Sequence, residues 1–186
     1  MLLSELEPNN LLQYVQDTII IGEPEGTAVN TKERLELFRC ASAIPDNTYA
    51  IDIGTRFGAS AIVMALALKQ KGIKSKVITI DINSDSVRID MFKRNVKATG
   101  TENYMYHLVA NSTVPCFKNL KISLLHIDGC HLSELVENDW NIYSKHLNGV
   151  VAFHDYENFH QVRDIVDKLH LFLFHTVENT AFGLKV

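Results

Sequence analysis

No apolar run in the chain is long enough to span a bilayer, and the opening MLLSELEPNN has neither the basic start nor the apolar core of a secretory leader. No membrane association is therefore expected, and a cytoplasmic location is. Cysteine is scarce. Cys40, Cys116 and Cys130 are odd in number and show no CxxC spacing, which argues against a disulfide framework or a zinc site and for reduced thiols. Positive charge is not in excess either: 18 Lys and Arg stand against 22 Asp and Glu, so nonspecific attraction to nucleic acid is not expected. The one basic cluster, Lys69, Lys71, Lys74 and Lys76, spans a helix end and a strand start and reads as a solvated face. Also missing are internal repeats, low-complexity tracts and the G-x-G-x-x-G of a dinucleotide turn.

What is present is an ordinary globular composition, 46% hydrophobic over 186 residues, sized for one domain with a sizeable core. The stretch that organises it is YAIDIGTRFGAS, Tyr49 to Ser60. A short apolar run ends at Asp52-Ile53-Gly54, turns through Gly58 and enters the alanine-rich segment Ala59 to Leu68. This is the strand, tight turn and helix order that builds a nucleotide pocket in α/β folds. Gly54 either brings backbone close to a ligand or adopts positive φ, and Gly58 starts the helix close to the strand. Arg56 and Phe57 put bulk where a pyrophosphate cradle needs bare backbone.

Before this stretch, residues 1–48 read as two helical pieces around a polar loop. Leu2, Leu3, Leu11, Leu12 and Val15 suggest an amphipathic start broken at Pro8, and GEPEGTAVN, Gly22 to Asn30, is the loop. Asn30 with Glu33 is a capping-box variant opening a helix to about Ala43. After it, strands are expected at Lys76 to Ile80, Tyr104 to Ala110, Ser123 to Ile127 and Val150 to Phe153. Helices alternate with them: Ser84 to Ala98 with Val87, Met91 and Val96 inward, His131 to His146 stopped by Asn148-Gly149, and about Phe159 to Leu169. Two last runs, Leu171 to Val177 and Ala181 to Val186, form a hairpin. The order predicts an α/β, Rossmann-like, doubly wound and mostly parallel sheet ending in an antiparallel hairpin. Ligands of such sheets lie beyond the carboxyl ends of the strands. The candidates there are Asp52 and Gly54, Asp81, Asn111 and Ser112, Asp128, then His154 and Asp155.

DIGTRFGAS at 52–60, VITIDIN at 77–83, and above all LLHIDGCHLSE at 124–134 with GVVAFHDY at 149–156 resemble the class I S-adenosylmethionine-dependent methyltransferases. The likeness is to the small O-methyltransferase group that includes macrolide-sugar O-methyltransferases. The resemblance implies a seven-stranded sheet, residues 49–186 as the cofactor-binding domain, and residues 1–48 on the substrate side. It implies that Asp52, Gly54, Thr55, Phe57 and Gly58, with Ser60, hold the methionine end. Asp81, beside Ile82, accepts the ribose hydroxyls, Asn111 and Ser112 flank the adenine, and Asp128 adjoins both cofactor and chemistry.

Asp128, His154 and Asp155 close neighbouring strands, and two carboxylates with an imidazole suit a divalent cation such as magnesium. Related enzymes have an acid where this chain has His154. Direct capping and substrate binding by the two acids is the alternative. His131 is the candidate base, because an imidazole takes a proton near neutral pH; capping the following helix is its other reading. Cys130 is read as a small buried thiol, and the remaining histidines, His126 among them, as structural. The expected activity is S_N2 methyl transfer to a hydroxyl of a small molecule, in a chain that can form a homo-oligomer. A silent cofactor-binding scaffold and an NAD-dependent oxidoreductase are the alternatives.

Overall fold

The computed structural model describes residues 29–185. The first helical piece and nearly all of the loop 22–30 lie outside the described residues.

Helix α1, Thr31–Ala43, begins with a complete capping box. Asn30 Oδ1 accepts from the Lys32 and Glu33 N–H groups while Glu33 Oε2 accepts from Asn30 N at 2.8 Å. The elements then follow as β1 (Tyr49–Ile53), α2 (Ala59–Lys71), β2 (Lys76–Asp81), α3 (Ser86–Thr99), β3 (Met105–Val109) and, with no helix between, β4 (Ile122–Ile127). They continue with α4 (Ser133–Tyr143), β5 (Leu147–Phe153), α5 (His160–Val166), β6 (Leu171–Val177) and β7 (Thr180–Lys185).

The seven strands lie in the order β3-β2-β1-β4-β5-β7-β6, as the α/β doubly wound expectation requires. Strands β1 to β5 pair in parallel, and β7 runs antiparallel to both β5 and β6. Alternate residues of each strand feed opposite cores. Ala50, Val77, Leu124 and Ala152 pack under α1 and α2, whereas Ile51, Ile53, Ile78, Ile80, Leu125 and Ile127 pack under α4 and α5. Helices thus cover both faces, and α1 belongs to the same core as the sheet. Chain order reverses between β1 and β4, where parallel neighbours send their connections to opposite faces and leave a crevice.

Three local expectations change. Helix α3 starts later than expected because the Asp85 side chain caps it by accepting from Val87 N; Phe92, Asn95 and Val96 are buried, while Val87 is exposed. Helix α4 starts at Ser133, leaving His131 in the preceding loop and Leu132 exposed. Asn148-Gly149 does not stop a helix but lies inside β5, at a register shift against β4. The lysine cluster is engaged locally: Lys69, Lys71 and Lys76 donate to the Thr99, Ile44 and Asn103 carbonyls.

Candidate active site

A cavity of about 570 Å³ opens over the carboxyl ends of β2, β1, β4 and β5. Its floor is set by the turn after β1. Gly54 has φ +99°, and a Cβ there would stand 2.3 Å from the Asp128 carbonyl oxygen. The glycine is therefore needed less for a ligand than for closing β1 against the end of β4. Gly58 is the left-handed N-cap of α2, packed beneath the Phe92 ring. The turn folds back over β2: Arg56 N donates to Asp81 Oδ2 at 2.9 Å, and Asn83 N donates to Oδ1 at 2.8 Å. Two main-chain amides thereby fix the Asp81 carboxylate, and each oxygen keeps acceptor capacity toward the cavity. Asp81 is not a helix cap; Asp85 fills that role.

Among the residues expected around a cofactor, Gly54, Thr55 and Ser60 line the cavity, as do Asp81, Ile82, Asn111, Ser112 and Asp128. Asp52, Phe57 and Gly58 do not. Asp52 is wholly buried one layer lower, where its carboxylate accepts from Ser60 Oγ (2.8 Å) and Thr79 Oγ1 (2.7 Å) and lies 2.8 Å from His126 Nδ1. Strand register brings these together, since Asp52 pairs with Thr79 on one side and with His126 on the other. Thr55 Oγ1, 2.6 Å from Thr79 Oγ1, joins the group to the turn. The signal was present as a repeated triplet, Asp52-Ile53-Gly54, Thr79-Ile80-Asp81 and His126-Ile127-Asp128.

The ends of β4 and β5 hold the charged half. His154 Nδ1 lies 3.0 Å from Asp128 Oδ1 and 3.2 Å from Asp155 Oδ2, and its Nε2 is 3.7 Å from Glu33 Oε2. Burial alone would lower the His154 pKa, but the three carboxylates outweigh it and push it up to about 12. Burial would likewise raise Glu33 and Asp155, yet His154 and further hydrogen bonds hold both below the usual carboxylate range. Glu33, 1% exposed, is anchored by Asn30 N and by donors from Asn179 and Thr180. The three carboxylates around His154 favour its protonated form, a different part from the metal-ligand role expected of it. Among the described residues, one donor atom from each of Asp128, His131 and Asp155 lies within 4.8 Å of the other two and could face an ion. His131 Nε2 is 2.7 Å from Asp155 Oδ2, and its ring stacks on Phe159 at 4.0 Å between centroids.

Cys130 and Asp139 also line the cavity, although the sequence assigned neither to a site. Cys130 is half-buried and lines the wall rather than the core. Asp139 on α4 is 2% exposed, and burial pushes its carboxyl up to about 6 even though a Ser112 hydrogen bond acts the other way. An acid set between Val136, Trp140 and Tyr143 on the buried side of α4 was its only signal.

Solved structures with this fold include cofactor-bound Rv0187 from MTB (16% identity, TM-score 0.71, 98% of this chain and 92% of that one). CalS11, a TDP-rhamnose 3'-O-methyltransferase of calicheamicin biosynthesis, aligns at 15% identity and TM-score 0.64 over 97% and 96%. The S-adenosylhomocysteine-bound methyltransferase PaMTH1 of Podospora anserina aligns at 11% and 0.69 over 97% and 89%. At these identities the likeness is one of fold. Among curated proteins, R132 of Acanthamoeba polyphaga mimivirus is 28% identical over 135 residues, 67% of this chain and 59% of that protein. The chain thus spans less than two thirds of that relative's length. Residues 51–156, more than half of the chain and the whole run from the Gly54 turn to the His154-Asp155 pair, match a family described as a methyltransferase domain, and the chain belongs to that family.

Proposed function

We propose that the chain binds S-adenosylmethionine in this cavity and transfers its methyl group to a hydroxyl of a small molecule. The observation that carries the reading is the division of one cavity into two halves. The Gly54 turn, the amide-held Asp81 and the Asn111-Ser112 end of β3 line one half, and the His131–Asp155 pair stands in the other. When bound, the cofactor supplies an electrophilic methyl on a sulfonium. Asp81 accepts the two ribose hydroxyls, and Asn111 and Ser112 flank the base. His131, donating through Nε2 to Asp155, keeps Nδ1 as the nitrogen with a free lone pair. That nitrogen takes the proton of the acceptor hydroxyl as the C–O bond forms and the C–S bond breaks, leaving a methyl ether and S-adenosylhomocysteine. Alignment and exclusion of water supply most of the remaining acceleration.

Asp128 orients the acceptor hydroxyl. A magnesium ion here would compete with the His154 imidazolium for oxygens of Asp128 and Asp155, so the donor set fits the internal cation better and no step is assigned to a metal. On the substrate side, Val29 lines the cavity and Glu33 of α1 steadies His154, which gives the N-terminal region a part in acceptor binding.

A thermal-shift titration with S-adenosylhomocysteine, followed by transfer of labelled methyl from S-adenosylmethionine to a panel of sugars and phenols, tests the reading. Stabilisation and labelled ether are expected. Absence of stabilisation sinks it, and stabilisation without transfer favours a silent binding protein. Added magnesium should leave both readouts unchanged.

A further inference from the structure

A second, smaller cavity of about 110 Å³ lies between the β3–β4 connection and the C-terminal end of α4. Its walls are apolar: Phe117 and Leu120 come from the connection, Ile122 from the start of β4, and Ile142 and Tyr143 from the last turn of α4. Apolar cavities of about 150 Å³ admit a benzene ring, so this one holds a single ring and little else. Its lining also includes the exposed Lys145 with His146 beside it, and among the described residues no Asp or Glu. The segments that build it, residues 110–121 and 144–146, carry Lys118, Lys121 and Lys145 and no acid, in a chain whose formal charge is −4. Asp139, one turn before Tyr143, lines the cavity over the strand ends instead. An apolar chamber with a local excess of lysine suits an aromatic ring bearing one negative charge.

One hydrogen bond joins the two cavities. Tyr143 lines the smaller, and its hydroxyl donates at 3.1 Å to the carbonyl of Ser112, which lines the larger. The same hydroxyl stands 3.9 Å from Cys116 Sγ, and that thiol donates to the Val114 carbonyl at 3.2 Å. A ring seated against Cys116, Phe117 and Tyr143 therefore braces the whole connection. We propose that the smaller cavity is a binding site for a small aromatic carboxylate, whose binding fastens residues 111–120 beside the larger one. The ring fills the chamber, restoring dispersion contacts that its lining lacks when empty, and the carboxylate meets the Lys145 ammonium. The site is separate from the methyl-transfer chemistry and stands or falls independently of it.

The test is calorimetric titration of the full chain with benzoate and with its neutral counterpart benzyl alcohol, with amide hydrogen exchange followed across residues 111–120. Wild type should bind benzoate with a Kd of about 1 mM or tighter, about threefold more tightly than benzyl alcohol, and exchange in residues 111–120 should slow. Leu120→Trp, whose indole occupies the chamber, should weaken benzoate binding about tenfold or more. Lys145→Gln, a change at an exposed position, should bind the two probes alike, and it decides the matter if Leu120→Trp does not fold. Absence of benzoate binding overturns the proposal. So does binding that Leu120→Trp leaves unchanged, which would put the probe in the larger cavity. Equal affinity for both probes in wild type, or an undiminished preference in Lys145→Gln, removes the carboxylate's place, and unchanged exchange removes the bracing.

Discussion

Two layers of polar side chains lie one above the other at the carboxyl end of the sheet. In the lower, Asp52, Thr79 and His126 are aligned across β1, β2 and β4, fully buried and bonded to one another. In the upper, two residues further along the same strands, stand Gly54, Asp81 and Asp128, all lining the cavity. A spacing of two puts both layers on one face of an ideal strand, so periodicity alone does not separate them. What separates them is where the ladder ends. Below that point a carboxylate must be satisfied by neighbouring strands, and above it the acceptor capacity remains for a ligand.

The sharpest way to break this contrast is Asp52→Ala. It strands Ser60, Thr79 and His126 without water, and urea denaturation should show a loss on the order of 3–5 kcal/mol. A loss below about 1 kcal/mol would mean that the lower layer does not hold the turn.

Next is His154→Gln, which leaves Asp128, Asp155 and Glu33 facing one another without a cation; roughly 3 kcal/mol should be lost at neutral pH. The pH dependence has a defined sign. His154 is raised in the folded chain, so its contribution is fully present below the unfolded histidine value of about 6.5 and is lost as pH rises toward about 12. Glu33 is depressed, so its contribution is present above the ordinary carboxylate range and fades as pH falls through its folded value. Wild type should therefore lose more stability than His154→Gln between pH 7 and pH 10, and equal slopes in denaturation curves would remove the internal cation.

His131→Ala probes the upper layer alone. Turnover should fall about 100-fold, or about 2.7 kcal/mol in barrier, with the melting temperature nearly unchanged because the side chain is 43% exposed. The smallest effect belongs to Cys130→Ser. A half-buried wall thiol with no assigned role should change stability by no more than about 0.5 kcal/mol in a thermal melt, and a larger loss would return it to the core.

Much of this could be anticipated from local pattern. The Asn30–Glu33 capping box, the strand at Tyr49–Ile53 and the glycine turn were all legible because each depends on neighbours within a few residues. The start of α3 was misplaced because Asn83, Ser84 and Asp85 are all competent caps, and only packing chooses among them. His126 passed as an unremarkable histidine because its partner, Asp52, is 74 residues away. The surroundings of His154 were equally hidden, because the three carboxylates beside it are carried by α1, β4 and the end of β5.

Hydrophobic alternation, turn chemistry and the polar residues closing each strand were sufficient to specify a doubly wound α/β sheet and the rim that lines its cavity. Those signals repeat every two to four residues and need no distant partner. Which acid on that rim faces the cavity, which is buried as scaffolding, and which histidine sits among carboxylates were decided only when the strands came into register. Burial and the field of neighbouring charges are set by residues far apart in the chain, and no local spacing records them.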